Sequence, residues 1–183
     1  AKVVAVEPDM RCVLSLEDLY LDNPNVFIVP VGVADACRSL QFFPCNHSVA
    51  STFSQEWING MHKDKFEWEK GNVVTMTTLD ILIKTYGNPT FIKIDVEGFE
   101  SRVLHGLSSP IRALSFEFHQ DALDEAERCV GLLGGYEFTY CDGEDFSFRM
   151  GWSSGKELMD ELKRQPNPNY RPFWGGDIYA RIK

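Results

Sequence analysis

Apolar and polar positions follow different periods along this chain, and the period changes at turn residues. The opening run KVVAVEP sets Val3, Val4, Ala5 and Val6 together before Glu7, the pattern of a strand buried on both faces. After Pro8, residues Val13, Leu16 and Tyr20 recur at helical spacing until Asn23-Pro24-Asn25 ends the helix. Residues 26–33, VFIVPVGV, predict a second buried strand, with Asp35 just beyond it. A short strand around Leu40–Phe43 comes next. Residues 49–72 then scatter Phe53, Trp57, Phe66 and Trp68 among charges without a sustained period, as in an inserted lid or edge loop.

The segment TTLDILIKTYG restores a clear period: Leu79, Leu82, Ile83 and Tyr86 share one helical face, with a Thr77-to-Asp80 capping pattern and Gly87 as terminator. FIKID predicts the next strand, and Phe99, Val103, Leu104 and Leu107 place a helix behind it. In ALSFEFH, residues 113–119, apolar Leu114, Phe116 and Phe118 alternate with Ser115, Glu117 and His119, so Glu117 and His119 share one side near the strand's carboxyl end. A helix through Ala122, Ala126, Cys129, Val130 and Leu133 follows. YEFTYCDGEDFSFRM reads as a hairpin about Asp142-Gly143, and DIYARI as a last strand. The expected class is α/β, a mostly parallel sheet with a C-terminal antiparallel hairpin.

At 183 residues the length suits one domain spanning 1–183. The 27 acids and 18 bases give a formal net charge of -9, and without a basic stripe the phosphate-neutralising term of nucleic-acid binding is missing. No apolar run approaches the roughly 20 residues that span a bilayer, so no membrane partner is expected. The five cysteines form no CxxC pair and are odd in number, which suits reduced thiols in a cytoplasmic protein and buried apolar roles.

In open α/β sheets ligands bind where the carboxyl ends of the strands meet. Glu7, Asp35, Asp95, Glu97, Glu117 and His119 all fall at or just past such ends. Glu7 admits two readings: a carboxylate that accepts the ribose hydroxyls of a nucleoside cofactor, or an ordinary acid favoured by a helix dipole. His119 has the side-chain type best suited to a base near neutral pH, and its alternative is a hydrogen-bonded structural histidine. Asp95, Glu97 and Glu117 offer oxygen ligands to a hard cation, but no spacing compels one. His47 and His62 form no Cys/His constellation, so no metal is expected.

The combination of VVAVEPD, TTLD, FIKIDVEGFE with VLHG, and LSFEFH resembles the FkbM family of S-adenosylmethionine-dependent methyltransferases over residues 2 to about 140. The resemblance implies a Rossmann-like methyltransferase sheet with S-adenosyl-L-methionine as cofactor. It places Glu7 on the cofactor ribose, Val33, Ala34 and Asp35 near its adenine, and Asp95 beside the transferred methyl. Asp95 and His119 are then the candidate catalytic pair, and Glu97 and Glu117 the candidate contacts to a small-molecule hydroxyl acceptor such as a sugar. The family's glycine-containing loop precedes the ribose acid by about 20 residues, whereas six residues precede Glu7. The expectation is therefore a fragment that begins at the second strand of the fold, without the first strand and glycine loop. A Rossmann-like module that binds without catalysis, or an inactive fragment, is the alternative. A metal-dependent hydrolase is a third, although no G-x-S-x-G elbow occurs.

Overall fold

A computed structural model describes residues 1–60, 66–143, 147–164 and 175–183. The elements in chain order are β1 (Val3–Val6), α1 (Met10–Tyr20), β2 (Val26–Val29), β3 (Gly32–Val33), β4 (Ser39–Gln41), α2 (Gln55–Asn59), β5 (Val73–Thr77), α3 (Leu79–Tyr86), β6 (Ile92–Ile94), α4 (Glu100–Leu104), β7 (Ala113–His119), α5 (Leu123–Leu132), β8 (Tyr136–Asp142), α6 (Gly155–Arg164) and β9 (Gly175–Ile182). The fold is mixed α/β. Among the described residues no helix is long and apolar enough to cross a membrane.

The strands fall into three hydrogen-bonded groups, ordered β1-β2, β3-β5-β4 and β6-β7-β9-β8. Pairs β1–β2, β3–β5 and β6–β7 are parallel, while β4–β5, β7–β9 and β8–β9 are antiparallel. The expected predominance of parallel pairing is thus corrected: β9 returns between β7 and β8, and its two long antiparallel registers dominate the C-terminal sheet. The expected hairpin partner of β8 is replaced by β9. The segment after the turn does return along β8, with Arg149 N donating to Tyr140 O at 2.9 Å and a Phe138–Ser153 bridge, while Glu144–Phe146 lie outside the described residues.

The core lies on one face of the β6–β9 sheet. Alternation sends Ile94, Leu114, Phe116, Phe118, Phe138, Tyr140, Ile178 and Ala180 to that face, where they pack against Val103, Leu104, Ala126, Cys129, Leu158 and Leu162 of the helices. Tyr136 closes the bottom of this layer, its hydroxyl donating to Ile111 O at 2.6 Å and accepting from Ile111 N at 2.7 Å.

The N-terminal unit departs from the expected burial. Val3 is 49% exposed and the rest of β1 is only half-buried, because among the described residues β1 pairs on one edge alone, with β2. The single strand expected over 26–33 is two. Pro30 has no N–H to continue the ladder, and after it the chain leaves β2 to pair Gly32 and Val33 with Met76 and Thr77 of β5. The capping residue of α3 is Thr78, whose hydroxyl accepts from Ile81 N at 3.2 Å, one residue later than expected. The stretch 49–72 contains α2, and Trp57 within it is buried.

Candidate active site

Most candidate side chains sit where a strand gives way to a turn, whereas Glu117 lies within β7. β1 ends at Val6 and Glu7 follows, its Oε1 accepting from Asp9 N at 2.7 Å. The helix cap itself is Asp9, whose side chain accepts from Arg11 N, so Glu7 lies outside the helix. Burial raises its pKa above the usual carboxylate value against the opposing effect of that backbone hydrogen bond. β6 ends at Ile94, and Asp95 and Glu97 occupy the turn into α4. Both Glu97 and Gly98 have left-handed backbones, φ 54° and 80°. For a residue with a Cβ that conformation costs about 1–2 kcal/mol.

Three groups hold this acid turn in place. The carboxylate of Glu100, 3% exposed, accepts from Val96 N and Gly98 N at 3.2 Å each. Thr52 Oγ1 donates to Glu97 O at 2.8 Å from the inserted segment. Trp57 packs over Gly98 so closely that a Cβ there would stand 2.8 Å from its ring. Glu100 is therefore structural, and burial pushes its pKa up to about 8.

On the neighbouring strand, Glu117 and His119 point to the same side as Asp95. His119 Nε2 lies 3.2 Å from Glu117 Oε2, with the two side chains 12% and 23% exposed. Trp57 meets the His119 ring edge-on, centroids 4.6 Å apart. Burial disfavours the imidazolium, but hydrogen bonding and charge from Glu117 outweigh it, so the pKa of His119 is raised. Burial also raises Glu117 and, reinforced by the charges of Glu117 and Asp95, pushes Glu97 up to about 9. Ligand atoms of Glu97, Glu117 and His119 all lie within 4.8 Å of one another.

A cavity of about 300 Å³ joins these ends. Val6, Val31, Val33 and Phe53 supply apolar wall, Gly32 a close backbone approach, and Glu7, Asp95 and Glu97 the carboxylates. Its size is at the small end of ligand sites. The structure thus brings Glu7, Val33, Asp95 and Glu97 to one cavity, and Glu117 and His119 to the far side of Glu97. Ala34 and Asp35 do not line it. Ala34 is fully buried, and Asp35 is held by Arg38 and by Arg102, the latter at 3.4 Å.

Two contacts at the site escaped the sequence reading. Trp57 lies in a segment without periodicity, and its proximity to His119 is a long-range contact that leaves no local signal. Asp177 of β9 binds Lys93 Nζ at 3.0 Å, turning that lysine into a bridge that also reaches Asp95 at 3.4 Å. Only the register of β9 against β7, which sets Asp177 opposite Glu117, brings it there.

The methyltransferase FkbM domain model matches residues 1–167. The chain belongs to the FkbM methyltransferase family. A solved structure similar to it is the methyltransferase FkbM from Methylobacillus flagellatus KT, at 15% sequence identity and a TM-score of 0.49. The similarity covers 98% of this chain and 36% of that one, so this FkbM-family chain spans little over a third of its solved relative. None of the curated proteins matches it. Membership of a methyltransferase family implies a methyl donor.

Proposed function

We propose that this chain carries an S-adenosylmethionine-dependent methyltransferase site acting on a hydroxyl of a small-molecule acceptor, such as a sugar or another natural product. The observation that carries the reading is that Glu7 and Asp95, which follow strands of two separate sheets, line one cavity. The residues present fit the donor. Glu7 offers carboxylate oxygen to a ribose, Val31, Val33 and Phe53 offer apolar surface to an adenine, and Asp95 offers negative charge to a sulfonium. Asp35, engaged by two arginines, serves as a support for the turn after β3 rather than as a direct contact.

Bound there, the donor supplies an electrophilic methyl group whose carrier leaves as a neutral thioether. The protein's tasks are alignment, exclusion of water and removal of one proton from the acceptor. Asp95 or His119 takes that proton, while Glu97 and Glu117 stand where acceptor hydroxyls can donate to them. Trp57 and Phe53 bring apolar surface from the inserted segment to the same region.

The same reading accounts for the break between sheets. β1 and β6 each have one strand-paired edge among the described residues, with β2 and with β7, yet the residues after both strands meet at one cavity. A further strand with its glycine loop, set between them, would make one Rossmann-like sheet and complete the cofactor site. Extending the chain upstream by about 30 residues, the scale of a βα unit, should tighten S-adenosylhomocysteine binding in calorimetry. Asp95→Asn and His119→Ala in the extended protein should each lower turnover far more than they lower stability. Full turnover in both variants on an identified acceptor would place the chemistry elsewhere, and tight cofactor binding without turnover would favour a binding module.

A further inference from the structure

We infer that Glu97, Glu117 and His119 form a binding site for a first-row divalent cation beside the cavity. This rests on the methyltransferase reading only for what the cation would do there, not for the site itself. Two carboxylate oxygens and one imidazole nitrogen are a mixed oxygen–nitrogen set, which suits manganese or zinc better than the all-oxygen preferences of calcium and magnesium. The three ligand atoms already stand within 4.8 Å of one another. Three ligands about 2.1 Å from one ion stand about 3.0–3.6 Å apart, so rotamer adjustments of about an ångström close the set.

Three further observations point the same way. Glu117 Oε2 is buried and stands 3.2 Å from His119 Nε2, so two of the three ligand atoms are already side by side. Lys93, a cation on the same sheet face, is committed to Asp177 and Asp95 and makes no ion pair with Glu97 or Glu117 among the described residues. The acid turn is held by Glu100, Thr52 and Trp57 with Glu97 in a left-handed conformation, so the backbone brings one carboxylate toward another instead of letting them separate.

Glu97 also lines the cavity, which puts an acceptor hydroxyl and the ion within one side chain of each other. The ion acts as a Lewis acid that lowers the pKa of that hydroxyl. Its proton passes to Asp95, 44% exposed at the side chain, and on to water. The oxygen lone pair forms the bond to the methyl carbon as the carbon–sulfur bond breaks, and that electron pair stays on sulfur. His119 is then a ligand, and the base is Asp95.

Titration of the metal-stripped chain with MnCl2, without any methyl donor, tests the site by calorimetry and by loss of the free Mn2+ electron paramagnetic resonance signal. One saturable ion per chain is expected, weakened at least about tenfold in Glu97→Gln, in Glu117→Gln and in His119→Ala. Glu125→Gln, on α5, should bind as the parent does. Thermal melts establish that each variant is folded, and Mn2+ should raise the melting temperature of the parent but not of Glu97→Gln. Absence of saturable binding by the parent overturns the inference, as does binding that the folded glutamine variants retain. Because no donor is present, loss of the cation site would leave S-adenosylhomocysteine binding intact, and failure of the methyltransferase reading would leave Mn2+ binding intact.

Discussion

The β1–α1–β2 unit and the β6–β9 sheet begin from similar sequence and end in different physical states. VVAV and FIKI are both apolar strand sequences that run into an acid. Yet Leu114, Phe116 and Ile178 are fully buried in the second region, whereas Val3 is 49% exposed, Leu14 61% and Leu19 70% in the first. The difference is one of neighbours. β7 is hydrogen-bonded on both edges and its apolar face is covered by α4, α5 and α6; among the described residues β1 has one strand partner, β2. An apolar strand is permission to be buried, and only the surrounding elements decide whether it is.

The largest effect that would break this comparison is on stability. Phe116→Ala should cost about 3–5 kcal/mol in urea unfolding, as expected for truncation of a fully buried aromatic. Val4→Ala should cost well under half of that, and equal costs would show that the two regions unfold as one equally packed unit. The pH response sharpens it next. Glu100 has its pKa raised by burial from 4.5 to about 8, so the folded state holds its proton where the unfolded state has lost it. Stability is then greatest below about pH 4.5 as far as this group is concerned, falls as pH rises through that window, and levels off above 8. Glu100→Gln should flatten the decline between pH 5 and 8, measured as melting temperature against pH.

Glu7→Gln should weaken S-adenosylhomocysteine binding by about 1.5–3 kcal/mol if ribose hydroxyls bond to a charged acceptor there, and unchanged affinity in calorimetry would remove that role. Asp9→Ala should cost about 1 kcal/mol through loss of the α1 cap. Its pKa is lowered, by the Arg11 hydrogen bond above all, so this contribution is present above about pH 3.8 and disappears as pH falls. Asp9 and Glu100 therefore respond to pH with opposite sign. Least of all, Leu19→Ser should change stability by no more than about 0.5 kcal/mol, and a larger loss would mean that α1 is covered in solution.

Much of the fold was legible because local patterns were strong. The alternation of 113–119 matched β7 residue for residue, and the period of 79–86 with Gly87 matched α3. The strand β5 went unread although Val73, Val74, Thr75 and Thr77 are good strand formers, because its partners are β3 and β4, both too short to announce a sheet. Helix α6 was likewise missed, and the reversal of β9 between β7 and β8 has no local signature. At the site, the placing of Glu117 beside His119 and near Asp95 followed from setting two parallel strands side by side. What sequence could not carry was the left-handed turn at Glu97, which depends on Trp57, Thr52 and the buried Glu100 acting together. Nor could it show that Asp35 would be taken by Arg38 and Arg102.

The contact between Trp57 and Gly98 sets rules for anyone redesigning the cavity. Position 98 is closed to every side chain while the indole remains, and the indole in turn rests against His119, so the three positions form a matched set that single-site libraries will find inert or damaging. Freedom lies elsewhere on the wall. Val49, 79% exposed, lines the same cavity without joining that set, and variation there can reshape the entrance for a new acceptor while the acid turn keeps its geometry.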